Sequence, residues 1–235
     1  EYAVEEGTTI LEACRQNGIR IPTLCWLKDI NAIGACRICV VEMTGARSLV
    51  ASCVYPLSKF DEGKNILTHS PAVLQSRKMT LQLLLSDHNM DCLACSRNGS
   101  CELQELCKEL GVDDTTFFEG EKNEYDIDYS SKHMFRDNNK CIHCRRCIAA
   151  CDKLQGIGVI GANNRGFKTS IDCAFDLDLA ETACVSCGQC ITACPTGALA
   201  EKDDTDKVWD ALADPEKVVV VQTAPAVRAS LGEAF

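Results

Sequence analysis

Cys141, Cys144, Cys147 and Cys151 form a CxxCxxCxxxC run, and Cys184, Cys187, Cys190 and Cys194 repeat it, with Pro195 directly after the second run. Thiolates three residues apart on a tight loop converge on one metal centre and are badly placed to bridge distant strands, so the chemistry they offer is iron–sulfur electron transfer. With this spacing the fourth cysteine of each run ligates the other cluster. One [4Fe–4S] cubane then takes Cys141, Cys144, Cys147 and Cys194, and a second takes Cys184, Cys187, Cys190 and Cys151. The segments CIHCRRCIAAC and CVSCGQCITAC agree at six positions, four of them cysteine, which implies a duplicated, pseudo-twofold domain. Asp152 stands where the second run has Pro195, and Arg145 and Arg146 read most simply as surface arginines.

Two further sets lie upstream. Cys25, Cys36, Cys39 and Cys53, spaced x10, x2 and x13, suit a [2Fe–2S] centre. Gly34, Ala35 and Arg37 fit a loop whose backbone N–H groups approach the sulfurs. Four cysteines also suit tetrahedral zinc, so that alternative stays open on spacing alone. His88, Cys92, Cys95 and Cys101 read H-x3-C-x2-C-x5-C, a set for a further [4Fe–4S] centre. A histidine four residues before a cysteine shares its helical face, which would aim the imidazole at the thiolates that follow. Cys107 competes with His88 as the fourth donor. Cys14, on an apolar helix face with Ile10 and Leu11, reads as a buried inert thiol. Cys173 has no assigned role, and His69, His133 and His143 read as surface or structural residues. No nucleophile–base pair, phosphate-cradling loop or flavin fingerprint is visible, so no catalytic residue is assigned.

The elements that must hold these donors are short. Residues Tyr2 to Glu5 read as a strand, followed by a helix from Ile10 to Asn17 with Thr9 and Glu12 as capping box and Gly18 as stop. Strands Ile38 to Met43 and Leu49 to Val54 complete a small mixed sheet. Ser70 and Pro71 open a helix along Val73, Leu74, Leu81, Leu84 and Leu85 that delivers His88. Residues 113–132 read as an acidic, aromatic, wrapping linker. A helix near Val208 to Ala213, a buried strand Val218 to Val221 cut off from any sheet, and a helix from Pro225 close the chain.

Composition bounds the class. Among 235 residues there are 18 cysteines, a density that fits a thiolate–metal protein kept reduced in the cytoplasm. The 24 basic and 34 acidic residues give a net charge of −10, which argues against nucleic acid as a partner. The longest aliphatic run, Val218 to Val221, is far too short to span a bilayer. Glu1 opens in mid-pattern without an initiator Met, so a preceding first strand is expected outside these residues.

The order of motifs resembles two related groups: the iron–sulfur subunit of NADH:quinone oxidoreductase together with NAD-linked formate dehydrogenases, and the accessory-cluster region of [FeFe] hydrogenases. The resemblance favours His88 over Cys107. The tail Val218-Val-Val-Val-Gln-Thr-Ala-Pro-Ala-Val-Arg228 looks like the opening of the [FeFe] hydrogenase catalytic domain. It implies an α+β, multi-domain iron–sulfur protein. Residues 1–68 would form a β-grasp, plant-type [2Fe–2S] ferredoxin-like domain, and 69–132 a small helical His/Cys [4Fe–4S] domain with its linker. Residues 133–205 would form a two-[4Fe–4S] ferredoxin-like domain, and 206–235 a linker with the start of a truncated catalytic domain. The implied function is electron relay through one [2Fe–2S] and three [4Fe–4S] clusters to or from an H-cluster whose ligands lie outside this chain. The implied partners are ferredoxin or NADH-linked flavin and iron–sulfur subunits. The alternative is a non-catalytic electron-transfer subunit of a formate dehydrogenase or NADH dehydrogenase-type complex.

Overall fold

The computed structural model describes residues 2–113, 117–118 and 120–234; part of the acidic linker, residues 114–116 and 119, lies outside the described residues. Two compact units are present, 1–201 and 202–235.

In the first unit, helix α1 (Ile10–Gln16) starts where the Thr9 hydroxyl accepts the Glu12 N–H at 3.2 Å, and it packs Ile10, Leu11, Ala13 and Cys14 inward. Strands β1 (Val40–Met43), β2 (Val50–Ala51) and β3 (Ile66–Leu67) form a sheet of order β2-β1-β3. Both pairings are antiparallel, so the expected mixed sheet is absent among the described residues. The expected strand at Tyr2–Glu5 does not form, since its residues are largely exposed and pair with no neighbour.

Helix α2 (Pro71–Ser86) begins as its sequence dictates, with the Ser70 hydroxyl accepting from Val73 N and Pro71 in the first turn. Its buried side chains are Val73, Arg77, Leu81 and Leu85. Helix α3 (Glu102–Leu110) buries Leu103, Leu106 and Leu110 and stops at Gly111, whose φ of 60° is the left-handed cap that glycine takes without strain. Leu24, Ile38, Leu81, Leu85, Leu103, Leu106, Leu110 and Ile142 share one core. The apolar faces of α2 and α3 thus tie the N-terminal cysteine loop to the first cysteine run.

The duplicated region is framed by β4 (Met134–Arg136), helix α4 (Arg146–Ala149), the hairpin β5 (Ile160–Asn163) and β6 (Ser170–Cys173), helix α5 (Gln189–Ala193) and β7 (Leu199–Glu201). Strand β4 pairs with β7 antiparallel, so the two halves close on each other. The halves leave their helices differently. After α5 the chain turns at Cys194-Pro195, because proline cannot continue a helix. After α4, where Asp152 replaces proline, it runs on through a π-helical turn, Ala150–Leu154, that carries Cys151. Buried Cys173 accepts from Arg136 Nη1 at 3.4 Å, and Arg136 also pairs with Asp128 (3.2 Å) and Asp172 (2.5 Å), which gives that thiol a structural place. Asp128 belongs to the linker, whose described part wraps this region through Asn123, Tyr125 and Asp128.

The second unit holds helices α6 (Thr205–Ala213) and α7 (Pro225–Ala234). Val218–Val221 is not the expected buried strand. Val218 is 91% exposed, because its unit offers no strand to take up its backbone groups. Among the described residues no helix is long and apolar enough to cross a membrane.

Candidate metal centres

The loop from Leu24 to Cys39, with Cys53 just past β2, buries four thiols together. Cys25, Cys36, Cys39 and Cys53 are each nearly inaccessible to solvent. Cys25 is held low by hydrogen bonds from the Cys36 and Cys53 thiols, with the N–H groups of Cys36 and Ala35 adding to this, as the small-residue loop led us to expect. Cys39 is lowered first by Cys53. Cys36 and Cys53 are pushed up, both chiefly by Cys25. Thiols in such contact cannot all ionise side by side unless a cationic centre compensates them, so the donor set fits a metal cluster. Gly34 permits the loop: its φ is +62°, and a Cβ there would press on Val54 at 3.1 Å.

His88 lies two residues beyond α2, past the C-cap Asp87. This corrects the helical-face argument, because Cys92 is not on a helix with it. The Asn89 side chain accepts from Asp91 N at 2.9 Å, and Asn89 N donates to Asn139 O at 2.8 Å, interactions that replace helical bonding. His88 is 9% exposed, and its Nδ1 is buried with no hydrogen-bond partner. Burial, then the Lys140 charge, lowers its pKa to about 4. A neutral imidazole with an unfilled ring nitrogen is the form that binds metal. Cys92 and Cys95 follow on a turn-rich loop, and Cys101 is the N-cap of α3. Cys107 packs with Cys101 against the shared core; burial, then the charges of Cys101 and Cys92, raise it to about 11. The structure thus places both candidate fourth donors by this loop, with the buried Nδ1 of His88 unpartnered.

The eight cysteines of the duplicated runs divide between two cavities of similar size, about 410 and 380 Å³ including their open mouths. Cys141, Cys144, Cys147 and Cys194 line the first; Cys151, Cys184, Cys187 and Cys190 line the second. Each cavity therefore takes three cysteines from one run and the last from the other. Burial pushes Cys144 and Cys190 up to about 12 and Cys147 well above the ordinary thiol range.

Polar side chains that spacing alone did not single out join these sets. Buried Asn31 donates from Nδ2 to Cys25 O at 2.7 Å and to Cys144 O at 3.1 Å. Arg97, between Cys95 and Cys101, donates to Cys194 O at 2.6 Å. Arg146 is buried, not a surface residue, and grips Glu102 with two bonds of 2.6 and 3.0 Å; Arg145 beside it is exposed. Gly197 sits against Cys95 so closely that a Cβ there would overlap the sulfur. No periodicity could mark these residues, since their partners are distant in sequence.

Family models match along the chain in the same order. Residues 1–70 match a 2Fe-2S iron-sulfur cluster binding domain, 77–116 the NADH-ubiquinone oxidoreductase-G iron-sulfur binding region, and 140–198 a 4Fe-4S dicluster domain. The chain is 46% identical over 236 residues to the NADP-reducing hydrogenase subunit HndD of Solidesulfovibrio fructosivorans, covering 98% of this chain and 40% of that protein. It is 36% identical over 209 residues to the NADPH-Fe(3+) oxidoreductase subunit alpha of Geobacter sulfurreducens, covering 86% of this chain and 23% of that one. The chain thus spans two fifths or less of these curated relatives. A chain in the crystal structure of an NAD+-reducing [NiFe]-hydrogenase in the H2-reduced state superposes with a TM-score of 0.77 at 30% identity, covering 86% of this chain and 83% of that one. Cysteine geometry, domain order and relatives agree: the chain belongs to the iron–sulfur protein family that includes the iron–sulfur subunits of NADH:quinone oxidoreductases and of hydrogenases.

Proposed function

We propose that this chain is an electron relay with four centres: a [2Fe–2S] at Cys25, Cys36, Cys39 and Cys53, and [4Fe–4S] centres at His88/Cys92/Cys95/Cys101, Cys141/Cys144/Cys147/Cys194 and Cys184/Cys187/Cys190/Cys151. The observation that carries the reading is the partition of eight cysteines into two crossed sets of four, each around its own cavity. When bound, the clusters supply one-electron chemistry; the chain's thiolates and the His88 imidazole hold them, and its buried walls exclude water. The Cys141 set is the junction. Asn31 links it to the [2Fe–2S] loop, Arg97 links it to the His88 loop, and Cys147 lies within electrostatic range of Cys190 in the second cavity. The second cavity is the outlet, because Cys187 and neighbouring Val185 are exposed there.

The relay serves an [FeFe] hydrogenase, interconverting protons and H2 at an H-cluster whose ligands lie outside residues 1–235. The likeness to HndD and the Val218–Arg228 segment support this. Its electron partners are ferredoxin or NADH-linked flavin and iron–sulfur subunits, and its compartment is the reducing cytoplasm. A second reading, a non-catalytic electron-transfer subunit, is favoured by the match to 83% of a chain in the NAD+-reducing hydrogenase structure.

Anaerobic reconstitution with iron and sulfide, followed by metal analysis and EPR, tests the relay. About 14 irons per chain, with one [2Fe–2S] and three [4Fe–4S] signals on reduction, is the expected outcome, and colourless zinc-loaded protein sinks it. H2 evolution from reduced methyl viologen by the matured, full native polypeptide supports the hydrogenase reading, and its absence favours the second.

A further inference from the structure

Arg77, in the second turn of α2, is 1% exposed. Its Nε donates to Ile38 O at 3.0 Å and its Nη2 to Val40 O at 2.8 Å, so the guanidinium grips the carbonyls on either side of Cys39. A guanidinium does not lose its proton in a protein, and burying an ion without a counter-charge is costly. The two carbonyls satisfy donors but bring no net charge. Among the described residues no carboxylate forms an ion pair with Arg77. Burial lowers its pKa, while Cys39 and then Glu109 raise it; Glu109 is exposed and already paired with Arg20 at 2.8 Å. The negative group left to balance Arg77 is the Cys39 thiolate and whatever it binds.

We propose that Arg77 is the buried counter-charge of the [2Fe–2S] centre and raises its reduction potential. The inference rests on assigning that centre to Cys25, Cys36, Cys39 and Cys53. Thiolates and sulfides leave an oxidised [2Fe–2S] cluster anionic. One electron, supplied by a reductant, turns one ferric ion ferrous with no bond made or broken, and adds to that negative charge. A fixed cation therefore favours the reduced form more than the oxidised one. Arg77 is a positioning residue, since it touches the backbone around a ligand rather than the metal.

EPR-monitored redox titration of reconstituted Arg77→Gln, Arg77→Met and Arg77→Lys variants decides the matter. Gln keeps a hydrogen-bond donor without the charge, and Lys keeps the charge without the fork. The Gln variant is expected to disfavour reduction of the [2Fe–2S] centre tenfold or more, about 59 mV for one electron. The Lys variant should stay within threefold of wild type, as should the other centres in every variant. A [2Fe–2S] midpoint in Gln within twofold of wild type overturns the proposal, as does an equal shift in Gln and Lys, which would mark a purely structural anchor. If the Met variant does not fold, the Gln and Lys pair still decides. A wild-type protein without a [2Fe–2S] signal would instead overturn the cluster assignment itself.

Discussion

The side-chain amide of Asn31 spans from Cys25 O, at 2.7 Å, to Cys144 O, at 3.1 Å, and the second of these bonds crosses 113 residues of sequence to join two cysteine sets. Its own backbone is closed on Leu27 by two bonds of 2.9 Å, so the amide has little freedom to leave. Asn31→Leu would strand two buried carbonyls. We expect a stability loss of about 1–3 kcal/mol in chemical denaturation. Slower electron exchange between the [2Fe–2S] centre and the Cys141-set cubane should appear in freeze-quench EPR. Exchange at the wild-type rate would show that Asn31 only holds the fold.

His88→Cys replaces a neutral donor by a thiolate, so the centre it binds should survive with a lower midpoint potential. Cys107→Ala should leave that centre's EPR signal unchanged. If Cys107→Ala abolishes the signal and His88→Ala spares it, the fourth donor is Cys107.

Gly197→Ala places a methyl group against the Cys95 sulfur. Loss of the His88-site signal, with about four fewer irons per chain, is the expected result. Gly232→Ala, which meets nothing within 4 Å, serves as control and should retain full iron.

Arg146→Met removes one half of the pair with Glu102, whose carboxylate is still partly solvated. A destabilisation of about 1–3 kcal/mol in urea is expected, smaller than for a fully buried pair because water can reach the orphaned carboxylate. An unchanged midpoint would mean that the arginine stem, rather than its charge, holds α3 to the first cysteine run.

Cysteine spacing made most of the site legible, because residues three apart on a tight loop have no choice but to lie near each other. Repetition of the run was enough to suggest that Cys151 and Cys194 cross over, and each of them lines a cavity with three cysteines of the other run. Helix α2 was legible from Ser70, Pro71 and its leucines for a similar reason, since capping and periodicity are local. What escaped was long-range. Arg146 and Arg145 are neighbours of one type in one motif, yet Arg146 is buried and paired with Glu102, 44 residues upstream, while Arg145 is exposed. Val218–Val221 shows the converse: β-branched composition favours a strand, but a strand forms only against a neighbour. The helical link between His88 and Cys92 failed because Asn89 offers its backbone and side chain other partners.

The crossed arrangement also governs when the protein can be completed. Cys25, Cys36, Cys39 and Cys53 are all available once Cys53 has been synthesised, whereas the first cavity of the duplicated region, begun by Cys141, lacks its fourth cysteine until Cys194 emerges. The second cavity opens with Cys151 and waits for Cys190. Neither cavity has its full cysteine lining before nearly the whole region is made, so a cluster held as proposed would enter late, in a chain already folded enough to bring the two runs into register.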